Sequence, residues 1–146
     1  MTSRSKAAFG GLLLAALMLL AATGCATQPP HVQSDASFDK VARAWLGLVD
    51  SSDYARSWQQ ASALFKGGIS EAAWVDAIEN ARERTGVLEQ RALVSVARTR
   101  KLPNVPENDY VVIVYASRFH ETATVQETVT LVREDDALKP AGYFIR

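Results

Sequence analysis

The spacing of apolar residues changes once along this chain, near Leu88, and that change limits the fold more than any other feature. Upstream the period is helical. Phe38, Val41, Trp45 and Leu48 follow 3-4-3 spacing, which predicts a first helix with Ser37 as its N-cap. Asp50-Ser51-Ser52-Asp53 then turns the chain and caps a second helix carrying Tyr54, Trp58, Ala61 and Phe65 on one face, ended by Gly67-Gly68. Ser70 caps a third, with Trp74, Ile78 and Ala81 on one stripe and Ile69 placed to staple against Trp74. Gly86 closes it.

Downstream the pattern alternates and β-branched residues become common, predicting strands over 92–99, 110–119, 125–133 and, as the core of a fourth, 142–145. The stretch 102–109 is a loop by its prolines and asparagines, and 120–123 and 134–136 are turns. Short connections favour an antiparallel meander. Helices first and strands after predict an α+β domain, three helices packed on one face of a four-stranded antiparallel sheet. In the second strand Val111, Ile113, Tyr115 and Phe119 oppose Val112, Val114 and Ala116, so both faces are apolar and a central position is expected.

None of this accounts for the beginning of the chain. Residues 7–22 form an uncharged apolar run behind Arg4 and Lys6, and Thr23-Gly24-Cys25 follows it. Its leucines leave no polar stripe, so it does not read as a core helix. The run falls short of the ~20 residues a bilayer span needs, and no basic flank follows until Lys40. A removed secretory leader is therefore a better reading than a permanent span. Cys25 is the sole cysteine and sits behind small residues, an arrangement resembling the lipobox of bacterial lipoproteins. That resemblance implies cleavage between Gly24 and Cys25 and lipid on the Cys25 thiol; Ala22 departs mildly from the leucine usual three residues before the cysteine. Several acyl chains at about 0.8 kcal/mol per buried methylene make such an anchor stable.

The expected organisation is a leader over 1–24, a lipidated Cys25 with a polar tether to residue 36, and one α+β domain over 37–146. At about 3.1 Å per residue the tether, which contains Pro29-Pro30, would hold the domain up to about 30 Å from the lipid. By the same lipoprotein resemblance Ala26, which is not the aspartate associated with inner-membrane retention, points to the outer membrane facing the periplasm. Without the leader, 14 basic residues face 16 acidic ones, a mild negative balance that argues against a nucleic-acid partner. The basic trio Arg98, Arg100 and Lys101 reads as a solvated strand end.

The segments Ala44–Asp50, Tyr54–Trp58, Phe65-Lys66, Trp74, Arg84–Gly86, Tyr110–Tyr115 and Gly142–Ile145 resemble a bacterial family known as domain of unknown function 4019. These motifs are aromatic and aliphatic at packing spacing, informative about fold and nearly silent about chemistry. The resemblance implies a cone-like α+β fold with a curved sheet, similar to nuclear-transport-factor-two and cystatin-like shapes. Leu138 stands where tryptophan is expected, and Pro140 near the start of the last strand suits a sheet edge.

Six residues are candidates for a pocket between helices and sheet: Trp45, Trp58, Trp74, Tyr115, Glu127 and Tyr143. The aromatics equally suit plain core packing, and three tryptophans at core spacing favour it. Glu127 shares a strand face with Val125, Val129 and Leu131. A carboxyl held in an apolar site would have a raised pKa and could work as an acid or base. It could equally pair with an arginine such as Arg98 or Arg118, or lie at the rim.

No catalytic residue is assigned. His31 and His120 are poorly placed for a dyad, no serine stands in a nucleophile elbow, and Gly67-Gly68 lacks a phosphate-loop ending. No metal or cofactor is expected. Asp50 with Asp53, and Glu134 with Asp135 and Asp136, read as caps and a solvated turn. The functional expectation is a lipid-anchored, non-enzymatic envelope module that contacts another envelope protein or supports the envelope through its exposed sheet. The alternatives are a binder of small apolar ligands in the helix-sheet cavity and, behind it, an isomerase- or dehydratase-like enzyme.

Overall fold

The computed structural model describes residues 34–146. The expected leader, the expected cleavage and lipidation site at Gly24–Cys25, and the expected tether as far as residue 33 lie outside the described residues.

Helix α1 spans Asp35–Asp50. It starts before Ser37, because Ser34 occupies the N-cap, and the Ser37 hydroxyl instead donates to the Ser34 carbonyl at 2.7 Å. Phe38, Ala42, Trp45, Leu46 and Val49 form its buried stripe. The single helix expected over Tyr54 to Phe65 is two, α2 (Tyr54–Gln59) and α3 (Ala63–Gly68), so four helices precede the sheet where three were expected. The break has a local cause. Ser62 is extended, its hydroxyl accepts from Phe65 N–H at 3.1 Å as the N-cap of α3, and its own N–H donates to the Pro140 carbonyl at 2.8 Å. Glu134 adds a carboxylate on the Ala63 N–H, 3.2 Å from each oxygen. Helix α4 (Glu71–Thr85) is capped by Ser70, which accepts from Ala73 N–H, and stops at Gly86, whose φ of 76° suits glycine.

Four strands follow, β1 (Leu88–Thr99), β2 (Tyr110–Phe119), β3 (Val125–Glu134) and β4 (Ala137–Ile145), forming an open antiparallel sheet in the order β1-β2-β3-β4. β2 is internal, and β4 with Pro140 lies at an edge. β1 begins four residues earlier than expected and β4 five. Both extensions contain irregularities that blur alternation: a register shift between Leu88 and Gln90 in β1, followed by a second inside the expected strand between Leu93 and Ser95, and Pro140 with an adjacent bulge in β4. Asp135 and Asp136, with φ of 49° and 61°, make the two-residue hairpin between β3 and β4.

The core lies between the helices and one face of the sheet. Val111, Ile113, Tyr115, Val129 and Leu131 meet Phe38, Trp45, Leu46, Trp74 and Ile78 there. The opposite face presents Ala92, Ser95 and Ala97 of β1, Val112, Val114 and Ala116 of β2, Gln126, Thr128 and Thr130 of β3, and Gly142 and Phe144 of β4, all half-buried or exposed. At one end of that face Tyr110 is covered, its hydroxyl donating to the Pro106 carbonyl at 2.6 Å.

Candidate functional site

Three of the expected pocket aromatics, Trp45, Trp74 and Tyr143, pack against one another, and Trp74 and Tyr143 also line a trough of about 750 Å³ beside α3. Trp45 lies 6.0 Å from Trp74, 5.8 Å from Tyr143 and 6.3 Å from Phe65 between centroids, and Phe65 meets Trp74 edge-on at 5.0 Å. Their polar atoms are satisfied internally. Trp45 Nε1 donates to the Ser57 carbonyl at 2.8 Å, and Trp74 Nε1 to Ser57 Oγ at 2.9 Å. Trp58 stands apart, half-buried, with its indole N–H on the Ile69 carbonyl and Lys66 above its ring. Tyr115 faces α1, where its hydroxyl donates to Asp39 at 2.8 Å. Burial pushes that phenol's pKa up, and the Asp39 bond adds to it.

Behind the rings lies a buried charge cluster. Strand parity carries Glu127 into the interior, where it is 0% exposed. Arg91 approaches from β1 and donates Nε to Oε2 at 2.6 Å and Nη2 to Oε1 at 3.0 Å. The same guanidinium donates to Asp50, at the end of α1, at 2.7 and 3.0 Å. Arg82, from the last turn of α4, sets Nη2 3.0 Å from Asp50 and 3.4 Å from Glu127. Ser117 Oγ and the Tyr143 hydroxyl also donate to Glu127, the latter at 2.6 Å. Six residues on α1, α4 and all four strands thus share one network.

This environment reverses the expected direction of the Glu127 pKa. Burial alone would raise it, but hydrogen bonds and charge from Arg91, followed by Ser117 and Tyr143, outweigh burial and hold the carboxyl below the usual carboxylate range. Burial and the Glu127 charge push the Tyr143 phenol upward, so it stays a donor. For Arg91 burial works against the cation, yet its bonds to Asp50 and Glu127 prevail and its pKa rises. Glu127 is therefore an ionised carboxylate with five donor contacts. A general base needs an oxygen within reach of a substrate proton. Here both oxygens are engaged by the protein and none is exposed. The chemistry this arrangement performs is charge neutralisation between elements.

Glu127 and Tyr143 are the two expected pocket residues that the structure joins to the cluster. Tyr115 is Glu127's neighbour across the β2–β3 register but makes its polar contact elsewhere. Arg82, Arg91, Asp50 and Ser117 went unforeseen. Arg98 pairs instead with Asp35, and Arg118 with Glu89. Asp50 is a partner of two arginines rather than a cap or turn residue. A signal for Arg82 existed, since Trp74, Ile78 and Arg82 recur every four residues on the buried stripe of α4. Arg91 lies one residue before the expected start of its strand, where no uninterrupted alternation assigns its face.

The cluster touches a surface cleft of about 930 Å³ whose walls include Asp50, Arg82, Tyr54, Glu79, Glu83 and Glu121. Glu127 does not line it. Among the described residues no group of three or more His, Cys, Asp or Glu is placed to hold a metal ion, and no helix is long and apolar enough to cross a membrane.

Residues 41–143 match the sequence model of a family described as a protein of unknown function, DUF4019. No curated protein matches the chain.

Proposed function

We propose that this chain, which belongs to the DUF4019 family of proteins of unknown function, is a lipid-anchored, non-enzymatic interaction module of the bacterial cell envelope. The observation that carries the reading is the outer face of the sheet. From Ala92 through Val112, Val114 and Ala116 to Thr128, Thr130 and Phe144 it bears no charge, although 22% of the chain is charged. Phe144 is 67% exposed at one side of it. Exposed apolar side chains such as Phe144, set among uncharged valine, alanine and threonine with Arg118 and Lys139 only at the margins, suit an interaction site. Saturation of the Glu127 cluster by internal donors supports a structural role for the most conspicuous polar group, which leaves recognition rather than chemistry as the domain's task.

The address rests on the sequence around Cys25: a leader over 1–24, lipid on the thiol, and an outer-membrane position facing the periplasm. Helices gathered on one face of an open sheet support the finer shape as well, a curved sheet in a cone-like fold similar to nuclear-transport-factor-two and cystatin-like domains.

Site-specific photo-cross-linking in intact cells tests the reading. Probes at Val114 and Thr128 on the outer face are expected to give one discrete protein adduct, and probes at Asp76 and Glu79 on α4 none. The same adducts from both surfaces would overturn the assignment. Cys25→Ala is expected to release the protein from the membrane fraction while leaving the domain folded.

One observation favours a second reading, ligand binding. The cleft of about 930 Å³ lies within the size range of small-molecule sites. Its walls combine Val49, Val75, Leu88 and Tyr54 with acidic side chains, so it suits an amphipathic ligand better than the purely apolar one expected of an aromatic cavity. A thermal shift with envelope metabolites that is retained on Ala77→Arg, outside the cleft, but lost on Val75→Arg would favour this reading.

A further inference from the structure

The cleft beside the charge cluster carries an excess of acid. Arg82 and Arg91 are matched by Asp50 and Glu127 inside the cluster, which is neutral as a group. Further out, Glu79 and Glu83 line the cleft from α4 and Glu121 lines it from the turn before β3, with Arg84 as the remaining cation. Glu79 and Glu83 stand one turn apart, a spacing at which like charges repel along a helix. Among the described residues neither makes a side-chain hydrogen bond or ion pair, and Glu121 meets only His120, at 3.9 Å.

Arg82 supplies an independent observation, an unmet donor. It lines the same cleft and is only 9% exposed. Nη2 makes every polar contact of this side chain, lying 3.0 Å from Asp50, 3.4 Å from Glu127 and 3.3 Å from the Tyr143 hydroxyl. Nε is buried without a partner, and Phe119, whose ring centroid lies 4.8 Å from the Arg82 Cζ, offers no oxygen or nitrogen acceptor. Buried N–H groups are as a rule hydrogen-bonded. A neutral oxygen suits this donor best, because another carboxylate or a phosphate would face Asp50 and the unpaired acids of the cleft.

We propose that the cleft binds a small organic cation: an ammonium group held among Glu79, Glu83 and Glu121, an apolar chain on Val49 and Val75, and a neutral carbonyl or hydroxyl oxygen accepting from Arg82. The inference rests on the ligand-binding reading of this cleft and gives that ligand its charge and its acceptor. Carboxylates set too far apart to chelate a metal ion can still surround an ammonium, whose N–H donors point in different directions. Val49 and Val75 provide the apolar wall that separates such a ligand from a bare inorganic cation. A free carboxylic acid of the same length is disfavoured, since its charge would meet the acid excess without relieving it.

Equilibrium dialysis of the full chain in non-ionic detergent, with detergent alone as the blank, tests this. The probe is ω-aminooctanamide, which carries a terminal ammonium, an apolar chain and a neutral carbonyl. Its N-acetyl derivative, which has lost the charge, and ω-aminooctanoate, which has gained a carboxylate, are each expected to bind about tenfold more weakly, the loss of one charge-assisted contact. Octylamine, which lacks the oxygen, is expected to bind more weakly in spite of its greater apolarity. Glu79→Gln with Glu83→Gln, two exposed positions, is expected to reduce the affinity for the probe about tenfold and to leave that for the N-acetyl derivative unchanged.

Equal binding of the probe and its N-acetyl derivative, or a probe affinity indifferent to the double substitution, overturns the cation. Equal or tighter binding of octylamine overturns the contact with Arg82. No binding of the probe at millimolar concentration overturns the whole inference. The ligand-binding reading fails separately: a thermal shift by an uncharged metabolite that is lost on Val75→Arg would keep the cleft as a ligand site and remove only the cation.

Discussion

Arg91 holds Glu127 with one edge of its guanidinium and Asp50 with the other, at 2.6 and 3.0 Å to the first and 2.7 and 3.0 Å to the second. A planar fork can serve two carboxylates in this way, and a lysine ammonium cannot. The relationship ties β1 to β3 and to the end of α1, and Arg82 brings in α4. Since replacing one member of a buried ionic group strands the others, stability should be most sensitive here.

Glu127→Ala should destabilise the domain by about 3–5 kcal/mol, because two arginines lose a fully buried counter-charge together. Urea unfolding of the variant against the parent measures it. A loss below about 1 kcal/mol would show that water or Asp50 neutralises the arginines without Glu127.

The pH dependence follows from the direction of the Glu127 shift. Its folded-state pKa lies below the ordinary value of 4.5, so the folded state binds this proton less readily than the unfolded chain. The stabilisation is fully present above the unfolded value and is lost as pH falls through the folded one. Melting temperature should therefore decline on acidification below about pH 4.5, and Glu127→Gln, already less stable at neutral pH, should show a shallower decline. Parallel declines in parent and variant would assign the acid sensitivity elsewhere.

Tyr143→Phe deletes one donor to the same carboxylate and keeps the ring that packs on Trp45 and Trp74. A loss of about 1.5–3 kcal/mol is expected, the range for hydrogen bonds to charged groups. Chemical denaturation checks it, and an unchanged midpoint would mean that Arg82 and Arg91 suffice.

Gly86→Ala should cost more than about 1 kcal/mol. The position has a φ of 76°, and an added Cβ would lie 2.7 Å from Glu121 Cγ and 3.2 Å from the Glu121 backbone nitrogen. The side-chain contact can move aside; the backbone contact and the dihedral cannot be relieved so easily. Combining the change with Glu121→Gly separates the two causes, since only the steric part should recover.

Ser62→Ala removes the N-cap hydroxyl of α3 and should cost about 1 kcal/mol. Because Ser62 N–H also anchors the Pro140 carbonyl, proline-flanking amides of β4 should exchange faster only if α3 shifts with the lost cap. Hydrogen exchange distinguishes a local loss from a displaced helix.

Local signals carried much of the fold. β2 coincides with its expected bounds because its alternation is uninterrupted, and Ser70 and Gly86 bracket α4 through capping chemistry that acts within one turn. The split between α2 and α3 was less legible, since the face expected over Tyr54, Trp58, Ala61 and Phe65 continues across Ser62 while a contact with distant Pro140 accompanies the break.

The candidate site divides in the same way. Period and parity are properties of neighbouring residues, so the sequence by itself determined that the domain is α+β, that Trp45 and Trp74 lie on apolar helix stripes, that Glu127 shares a strand face with Val129 and Leu131, and that β4 tolerates Pro140 at an edge. Which arginines meet Glu127 was decided by the tertiary structure, through the register of β1 on β2 and the approach of α4, which bring Arg91 and Arg82 from 36 and 45 residues away. The sign of the pKa shift depends on those partners: the same buried carboxyl is raised among apolar neighbours and lowered beside a guanidinium fork.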